Sequence, residues 1–197
     1  MNISSVKQFL ARHNPRPRRA VLPALLLVAL AMAVLVGSAL AAQNHIFNGS
    51  FEQGNGSSAA GWSDSGLTSS DGRVCNKSYV GSCSFKFVSD GSYKTLFQYY
   101  SVSGNQGDTY ALSLWTKVKD VTIGSGTFIY SMRFHHSDGD GEQDGFDGGL
   151  TSGTFPWIRF HGSDTASDAF DFITVTIIFD PDAGKAWFDK VRLVEVP

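Results

Sequence analysis

The chain has 197 residues and a formal net charge of −2, and only 17% of its residues are charged. Lys and Arg do not cluster along the sequence as they do in nucleic-acid-binding proteins, so no nucleic-acid partner is expected. After the first 42 positions Gly, Ser, Thr, Asp and aromatic residues are abundant, whereas strong helix formers are scarce. This composition favours strands and turns over helices.

The first 41 residues are predicted to be a secretory signal peptide. Residues 1–20 are polar and basic, residues 21–35 are almost wholly apolar, and small residues follow at a signal-peptidase site. Cleavage after Ala41 or Ala42 would release a secreted protein. The alternative is an uncleaved anchor, since the apolar run is long enough to span a bilayer. Either form places the rest of the chain outside the cytoplasm, and membrane contact is expected only for the uncleaved one.

Residues 42–197 are predicted to form a single all-β domain. This part is more acidic than the whole-chain charge suggests, because the leader contains basic residues and no acidic one. Such a surface suits neutral ligands or cations. Alternating apolar and polar residues predict strands at 82–89, 95–102, 109–121, 126–136, 155–161, 170–180 and 184–194. Gly- and Asp-rich clusters predict turns at 54–61, 104–108, 139–149, 162–168 and 180–184. Many short strands separated by turns favour an antiparallel β-sandwich.

The two cysteines, Cys75 and Cys83, lie close together in a chain predicted to be exported. One disulfide closing a short loop is the expected state, and a pair of free thiols is the alternative. A zinc site is not expected, since no further Cys or His clusters nearby.

Asp189 is the unusual residue of the last predicted strand. Strict alternation places it with Trp187, Val191 and Leu193 on a core-facing row. A lone carboxylate there is costly unless a cation or a hydrogen-bond donor contacts it. Glu52, near the start of the domain, offers a second carboxylate. We therefore hypothesise that a hard cation, calcium, lies between Glu52 and Asp189. The alternative is a solvated Glu at a strand end and an Asp that caps a turn.

Several motifs resemble one family in their order along the chain. They are NGSFE (48–52), GW (61–62), SCSFKF (82–87), TLFQYYSV (95–102), GDTYALSLWTK (107–117), Trp157 and AWFDKVRL (186–193). Together they resemble the carbohydrate-binding modules attached to bacterial xylanases and glucanases. The resemblance implies a galactose-binding-like jelly roll that binds glycans on a sheet face or at loop tips and is not itself catalytic. It also implies that the two ends of the domain lie side by side and share a structural calcium ion.

Four residues are candidate ligand contacts: Trp115, Tyr99, Arg133 and His135. Alternation places each of them on the side of its strand opposite the core-facing residues. Aromatic rings stack on the C–H faces of sugars, and the Arg and His side chains can hydrogen-bond hydroxyl groups. For Trp115 the alternative is that a loop covers the ring, which then simply packs.

Residues 138–147 form an acidic segment that has no place in the family pattern. Within it Asp140-x-Glu142-x-Asp144-Gly145 is similar to the start of a calcium loop, but Thr151 stands where the closing Glu would be. A second calcium site and a solvated loop both remain open.

The expected function is that of a secreted, non-catalytic carbohydrate-binding module that contains structural calcium. The alternative is an extracellular structural or adhesive sandwich that binds protein or its own copies. Catalysis is not expected, because neither G-x-S-x-G nor H-E-x-x-H occurs.

Overall fold

A computed structural model describes residues 42–136 and 143–197. The predicted leader and residues 137–142 lie outside these ranges. The described residues form twelve strands: β1 Gly54–Asn55, β2 Ser58–Ala59, β3 Ser63–Ser65, β4 Gly72–Val74, β5 Ser84–Val88, β6 Lys94–Gly104, β7 Thr109–Thr122, β8 Thr127–His136, β9 Gln143–Gly149, β10 Gly153–Thr165, β11 Phe170–Asp180 and β12 Ala183–Val196. Across those two ranges, no helix is long and apolar enough to cross a membrane.

The strands build two five-stranded antiparallel sheets. The sheet ordered β3-β6-β11-β8-β9 is called sheet I, and the sheet ordered β10-β7-β12-β5-β4 is called sheet II. Strands β1 and β2 form a separate small hairpin. The inward faces of both sheets contribute to one apolar core. The predicted all-β antiparallel sandwich is therefore confirmed.

All seven predicted strands are present, but strands also occupy parts of the predicted turns: β10 continues through residues 162–165, and β1 and β2 lie within residues 54–61. Residues 143–149, within the segment predicted as a turn, form β9 and pair with β8. Glycine is required here for a packing reason: a Cβ at Gly148 would collide with the Tyr130 ring, and one at Gly145 would collide with the Met132 carbonyl. The glycines that suggested a turn instead let β9 lie close against β8.

A bulge in β12 corrects the predicted faces of this strand. Its register against β7 shifts between Asp189 and Arg192, and Lys190 adopts a left-handed backbone with φ of 51°. Because an extra residue inverts alternation, Phe188 faces the core before the bulge and Val191 faces it afterwards. Trp187 and Asp189 therefore lie on the outer side of sheet II, and the prediction of a core-facing Asp189 is wrong.

The beginning and end of the domain lie side by side. The His45 amide donates to the Leu193 carbonyl over 2.8 Å, and the Val191 amide donates to the Gly49 carbonyl over 2.8 Å. Asn44 adds a side-chain bond, because its Oδ1 accepts from the Leu193 amide at 3.0 Å. The first residues are thereby held against β12 just after its bulge.

Candidate functional site

Asp189 is completely buried, although it projects from the outer side of its sheet. Its Oδ2 accepts hydrogen bonds from the amides of Tyr79 at 2.6 Å and Val80 at 2.9 Å. Its Oδ1 accepts from the amide of Lys190 at 2.6 Å. The loop before β5 covers the carboxylate and supplies most of its hydrogen-bond donors.

Glu52 is held by the same loop. Its Oε1 accepts from the amides of Ser82 at 2.9 Å and Cys83 at 3.0 Å. Gly81 lies so close that a Cβ there would collide with the Glu52 carboxylate. The loop is closed by the Cys75–Cys83 disulfide, which confirms the predicted pairing. Residues 75–83, here called the disulfide loop, thus bring Glu52 and Asp189 together.

The charge of this carboxylate pair has no ion-pair partner among the described residues. The ion pairs within 42–136 and 143–197 involve neither Glu52 nor Asp189. Burial raises the pKa of Asp189, backbone hydrogen bonds oppose that rise, and the Glu52 charge adds to it. The environment therefore disfavours the ionised form of Asp189 unless a cation is present.

The four predicted ligand contacts do not share one surface. Trp115 lies in β7 and therefore projects from sheet II, whereas Tyr99, Arg133 and His135 lie in strands of sheet I. All four point away from the core, as alternation predicted. The two sheets face opposite directions, so one ligand cannot span Trp115 and the other three.

Trp115 is covered on one face of its ring. Tyr79 of the disulfide loop stacks on it with ring centroids 3.7 Å apart and planes 13° apart. Trp157 of β10 lies beside this pair, with its centroid 6.2 Å from that of Tyr79. One face of the Trp115 indole is therefore covered by a loop, as the alternative for this residue expected.

The outer face of sheet I carries a row of aromatic rings. Phe97 and Tyr99 of β6 meet edge-to-face at 5.5 Å, and Tyr99 meets Phe172 of β11 edge-to-face at 5.8 Å. Phe172 in turn stacks on the His135 ring at 4.0 Å. Tyr99 remains 58% exposed, so one large ring of the row is open to a ligand.

Polar side chains lie next to these rings in the same sheet. Thr174 is the cross-strand neighbour of both Tyr99 and Arg133. His135 shares a 2.6 Å hydrogen bond with the Thr174 hydroxyl, and Arg133 forms an ion pair with Asp147 of β9. The face therefore combines an exposed aromatic surface with oriented hydrogen-bonding groups.

The lowered pKa of His135 is expected to make the stability of the protein depend on pH. Burial lowers the pKa of His135, and the neighbouring His136 lowers it further. The unfolded chain therefore takes up this proton first, so stability is expected to fall as pH drops through the ordinary histidine pKa of about 6.5 toward the folded value. Thermal melts between pH 7.5 and 5.5 should show a smaller decrease for His135→Gln than for the wild type. Equal decreases for the two proteins would contradict this assignment.

The acidic segment is only partly described. Asp138, Asp140 and Glu142, for which a second calcium site and a solvated loop were both left open, lie outside the described residues. Asp144 bonds His136 at 2.9 Å and accepts a hydrogen bond from the Ser167 amide, while Asp147 pairs with Arg133. These two carboxylates already have protein partners.

Three residues of these surfaces were not among the predicted ligand contacts: Phe172, Asp147 and Tyr79. Phe172 belongs to a predicted strand, and its outward parity was available from the alternation of β11. Its neighbours could not be inferred, because a shift between Phe170 and Phe172 offsets β11 against both flanking strands. Tyr79 lies in a loop that has no periodic signal.

No protein-family model matches the sequence, and no curated protein matches it. Solved structures do match its fold. TmCBM61 in complex with β-1,4-galactotriose aligns with a TM-score of 0.56 at 17% identity, covering 78% of this chain and 99% of that chain. A family 16 carbohydrate-binding module gives 0.59 at 23% identity, covering 77% and 100%. The CBM22-1 xylan-binding domain of Paenibacillus barcinonensis Xyn10C gives 0.51 at 14% identity, covering 75% and 91%. The chain thus shares the jelly-roll β-sandwich fold of these solved carbohydrate-binding modules.

Proposed function

We propose that this protein is an exported, non-catalytic module that binds a poly- or oligosaccharide on the outer face of sheet I. The observation that carries the proposal is the aromatic row ending in exposed Tyr99, with Arg133, His135 and Thr174 beside it. Flat rings flanked by hydrogen-bonding groups suit the alternation of C–H faces and hydroxyls on a sugar. The glycans named for proteins of the same fold, β-1,4-galactotriose and xylan, are reasonable first ligands to test.

Export is part of the proposal. A disulfide persists in oxidising compartments outside the cytoplasm, and Cys75 and Cys83 form one. The predicted leader at residues 1–41 would direct the chain there.

We also propose that Glu52 and Asp189 bind a structural calcium ion. Both carboxylates are oriented by the disulfide loop, and both offer hard oxygen ligands. Over residues 42–136 and 143–197, no group of three or more His, Cys, Asp or Glu residues could hold a metal. Backbone carbonyls or water would therefore complete the coordination, which calcium accepts.

Backbone strain beside both acids supports the calcium proposal. Phe51, which precedes Glu52, has φ of 57°, and Lys190, which follows Asp189, has φ of 51°. Side chains other than Gly, Asn and Asp rarely adopt this conformation, which costs about 1–2 kcal/mol per residue. Strained residues of this kind cluster at active sites and ligand-binding sites.

Replacing Tyr99 with Ala is the direct test of the glycan site. Tyr99→Ala is expected to weaken binding to a neutral polysaccharide by about tenfold, equivalent to about 1.4 kcal/mol, because the open ring of the aromatic row is lost. Isothermal titration with β-1,4-galactan and xylan oligosaccharides measures the change.

Tyr93 offers a matched control. It is 54% exposed, similar to Tyr99, and lies just before β6 rather than on the sheet face. Tyr93→Ala should therefore bind as the wild type does. Equal effects of the two substitutions would exclude this face as the binding site. Absence of binding to any neutral glycan, together with self-association in light scattering, would instead support an adhesive module.

A further inference from the structure

The folded domain gathers its positive charge on one surface. All 18 acidic residues but only 11 of the 16 basic residues lie after residue 41, so this part of the chain has a formal charge of −7. Eight of those 11 basic residues nevertheless line pockets on the outer side of sheet II: Lys77, Lys86, Lys117, Lys119, Arg159, Lys185, Lys190 and Arg192. We call this surface the basic face.

The other three basic residues have structural roles elsewhere. Arg73 donates to the backbone carbonyls of Phe51 and Glu52, Lys94 is buried against Asp71, and Arg133 pairs with Asp147. The segregation was invisible in the sequence, because its positions become neighbours only when β7, β10 and β12 pair.

Few ion pairs neutralise the basic face within the described part of the chain. Of the ion pairs in the described ranges, one involves a member of this face, Lys119 with Asp120, and its N–O distance is 4.0 Å. The pKa of Lys77 is lowered by burial and then by the charges of Lys117, Lys185 and Lys119. Mutual repulsion of this kind opposes folding, so the fold itself does not account for the arrangement.

Two pockets on this face combine an apolar surface with cationic groups. One, of about 390 Å³, is lined by Phe155, Pro156 and Trp187 together with three lysines, Lys77, Lys117 and Lys119. The second, of about 160 Å³, is lined by Ser113, Trp115, Arg159, Lys190 and Arg192. Along β7, Ser113, Trp115, Lys117 and Lys119 project at successive outward positions about 7 Å apart, which links the two pockets into one elongated surface.

We propose that the basic face is a second binding surface, which takes an acidic polysaccharide bearing carboxylate or sulfate groups. The apolar surfaces accept sugar rings, and the surrounding ammonium and guanidinium groups pair with the anionic substituents. This proposal rests on the proposed function only in that the ligand is a glycan, since it uses the sheet opposite to the Tyr99 face. An acidic glycan is favoured over nucleic acid because the disulfide indicates an extracytoplasmic protein.

Charge reversal tests the basic face. The double variant Lys117→Glu/Lys119→Glu should bind polygalacturonate at least tenfold more weakly than the wild-type protein in 50 mM NaCl, by isothermal titration. Dextran sulfate, titrated in parallel, distinguishes sulfate from carboxylate recognition. Wild-type affinity should fall in 300 mM NaCl, because salt screens exposed charges.

Two further variants serve as controls. Lys117→Arg/Lys119→Arg retains the charge and should keep binding within about twofold of the wild type. Tyr99→Ala should leave polygalacturonate binding unchanged while it weakens the binding of neutral glycans. Each of the two sites can therefore be disrupted without affecting the other. Melting curves establish that each variant is folded, and the side chain of Lys119, which is 57% exposed, can change without disturbing the core.

Three results would overturn the proposal. The first is the absence of binding to both polygalacturonate and dextran sulfate at low salt. The second is equal binding by the wild type and a folded charge-reversal variant. The third is tighter binding to a single-stranded DNA oligonucleotide of matched charge or to anionic lipid vesicles, which would assign a different occupant to the basic face.

Discussion

Removing calcium with a chelator is expected to lower the melting temperature of the protein by about 5–10 °C. A ligand present at a hundredfold excess over its dissociation constant stabilises the folded state by about 2.7 kcal/mol. For a domain of this size, each kcal/mol shifts the melting temperature by about 2–4 °C. Because Glu52 and Asp189 lie at opposite ends of the domain, the unfolded chain does not preserve the proposed site. Differential scanning calorimetry with EDTA and with added calcium measures the shift.

Glu52→Gln is the sharpest variant for this experiment. The amide oxygen of Gln can keep the hydrogen bonds from Ser82 and Cys83, while the charge and one metal ligand are lost. The calcium-induced shift should therefore disappear with little change in the melting temperature of the chelated protein. Asp189→Ala is less informative, since it leaves three backbone donors without their acceptor. Magnesium should not replace calcium, because it demands near-ideal octahedral geometry and loses its water ligands reluctantly. Identical wild-type melting curves in EDTA and in calcium would refute the metal site.

The calcium effect should also depend on pH in a defined direction. Without calcium, the raised pKa of Asp189 means that the folded state holds a proton that the unfolded chain has already released. Stability of the chelated protein should therefore fall as pH rises from the ordinary Asp value of about 3.9 through the raised folded value. Calcium binds the ionised form, so its stabilising effect should grow over the same range.

Lys94→Ala is expected to destabilise the protein by about 3–5 kcal/mol, because it leaves a buried carboxylate without its cation. Lys94 is fully buried, and its Nζ lies 2.7 Å from Asp71 Oδ2, 2.9 Å from Asp90 Oδ2 and 2.7 Å from the Val88 carbonyl. Asp71 is only 4% exposed and cannot recover solvation when the lysine is removed. Urea denaturation followed by tryptophan fluorescence measures the loss.

Asp90→Ala is the matched control for Lys94→Ala. The Asp90 side chain is 32% exposed, and its removal leaves the Lys94–Asp71 pair intact, so the loss of stability should be clearly smaller. Equal losses for the two variants would show that the buried pair contributes nothing of its own.

The Lys94–Asp71 pair is also expected to make the stability of the protein sensitive to acid. Burial alone would raise the pKa of Asp71, but hydrogen bonds from Lys94, Thr68 and Val88 outweigh it and lower the pKa. The stabilisation is therefore fully present above the ordinary Asp pKa and is lost as pH falls through the folded value. The pH dependence of this contribution to stability is opposite in sign to that of Asp189. In calcium-free protein at low pH, the two carboxylates therefore change the stability in opposite directions.

Seven of the twelve strands, the class of fold and the disulfide could be predicted from the sequence alone. Alternation of apolar and polar residues marks which positions can be buried, and this information is local. It correctly placed Tyr99, Trp115, Arg133 and His135 on outward-facing positions. Predicting the disulfide from the two nearby cysteines required only the expectation of an oxidising compartment.

Contacts between strands and loops determine which outward residues share a surface. Sheet membership separates Trp115 from the other three candidates, and the bulge at residues 189–190 moves Trp187 and Asp189 to the outer side of β12. The disulfide loop then buries Asp189 beside Glu52, and strand pairing gathers eight basic residues onto sheet II. Each of these features depends on contacts between residues far apart in the chain. Periodicity reports which side of a strand a residue occupies, but pairing, register and covering loops determine what lies beside it.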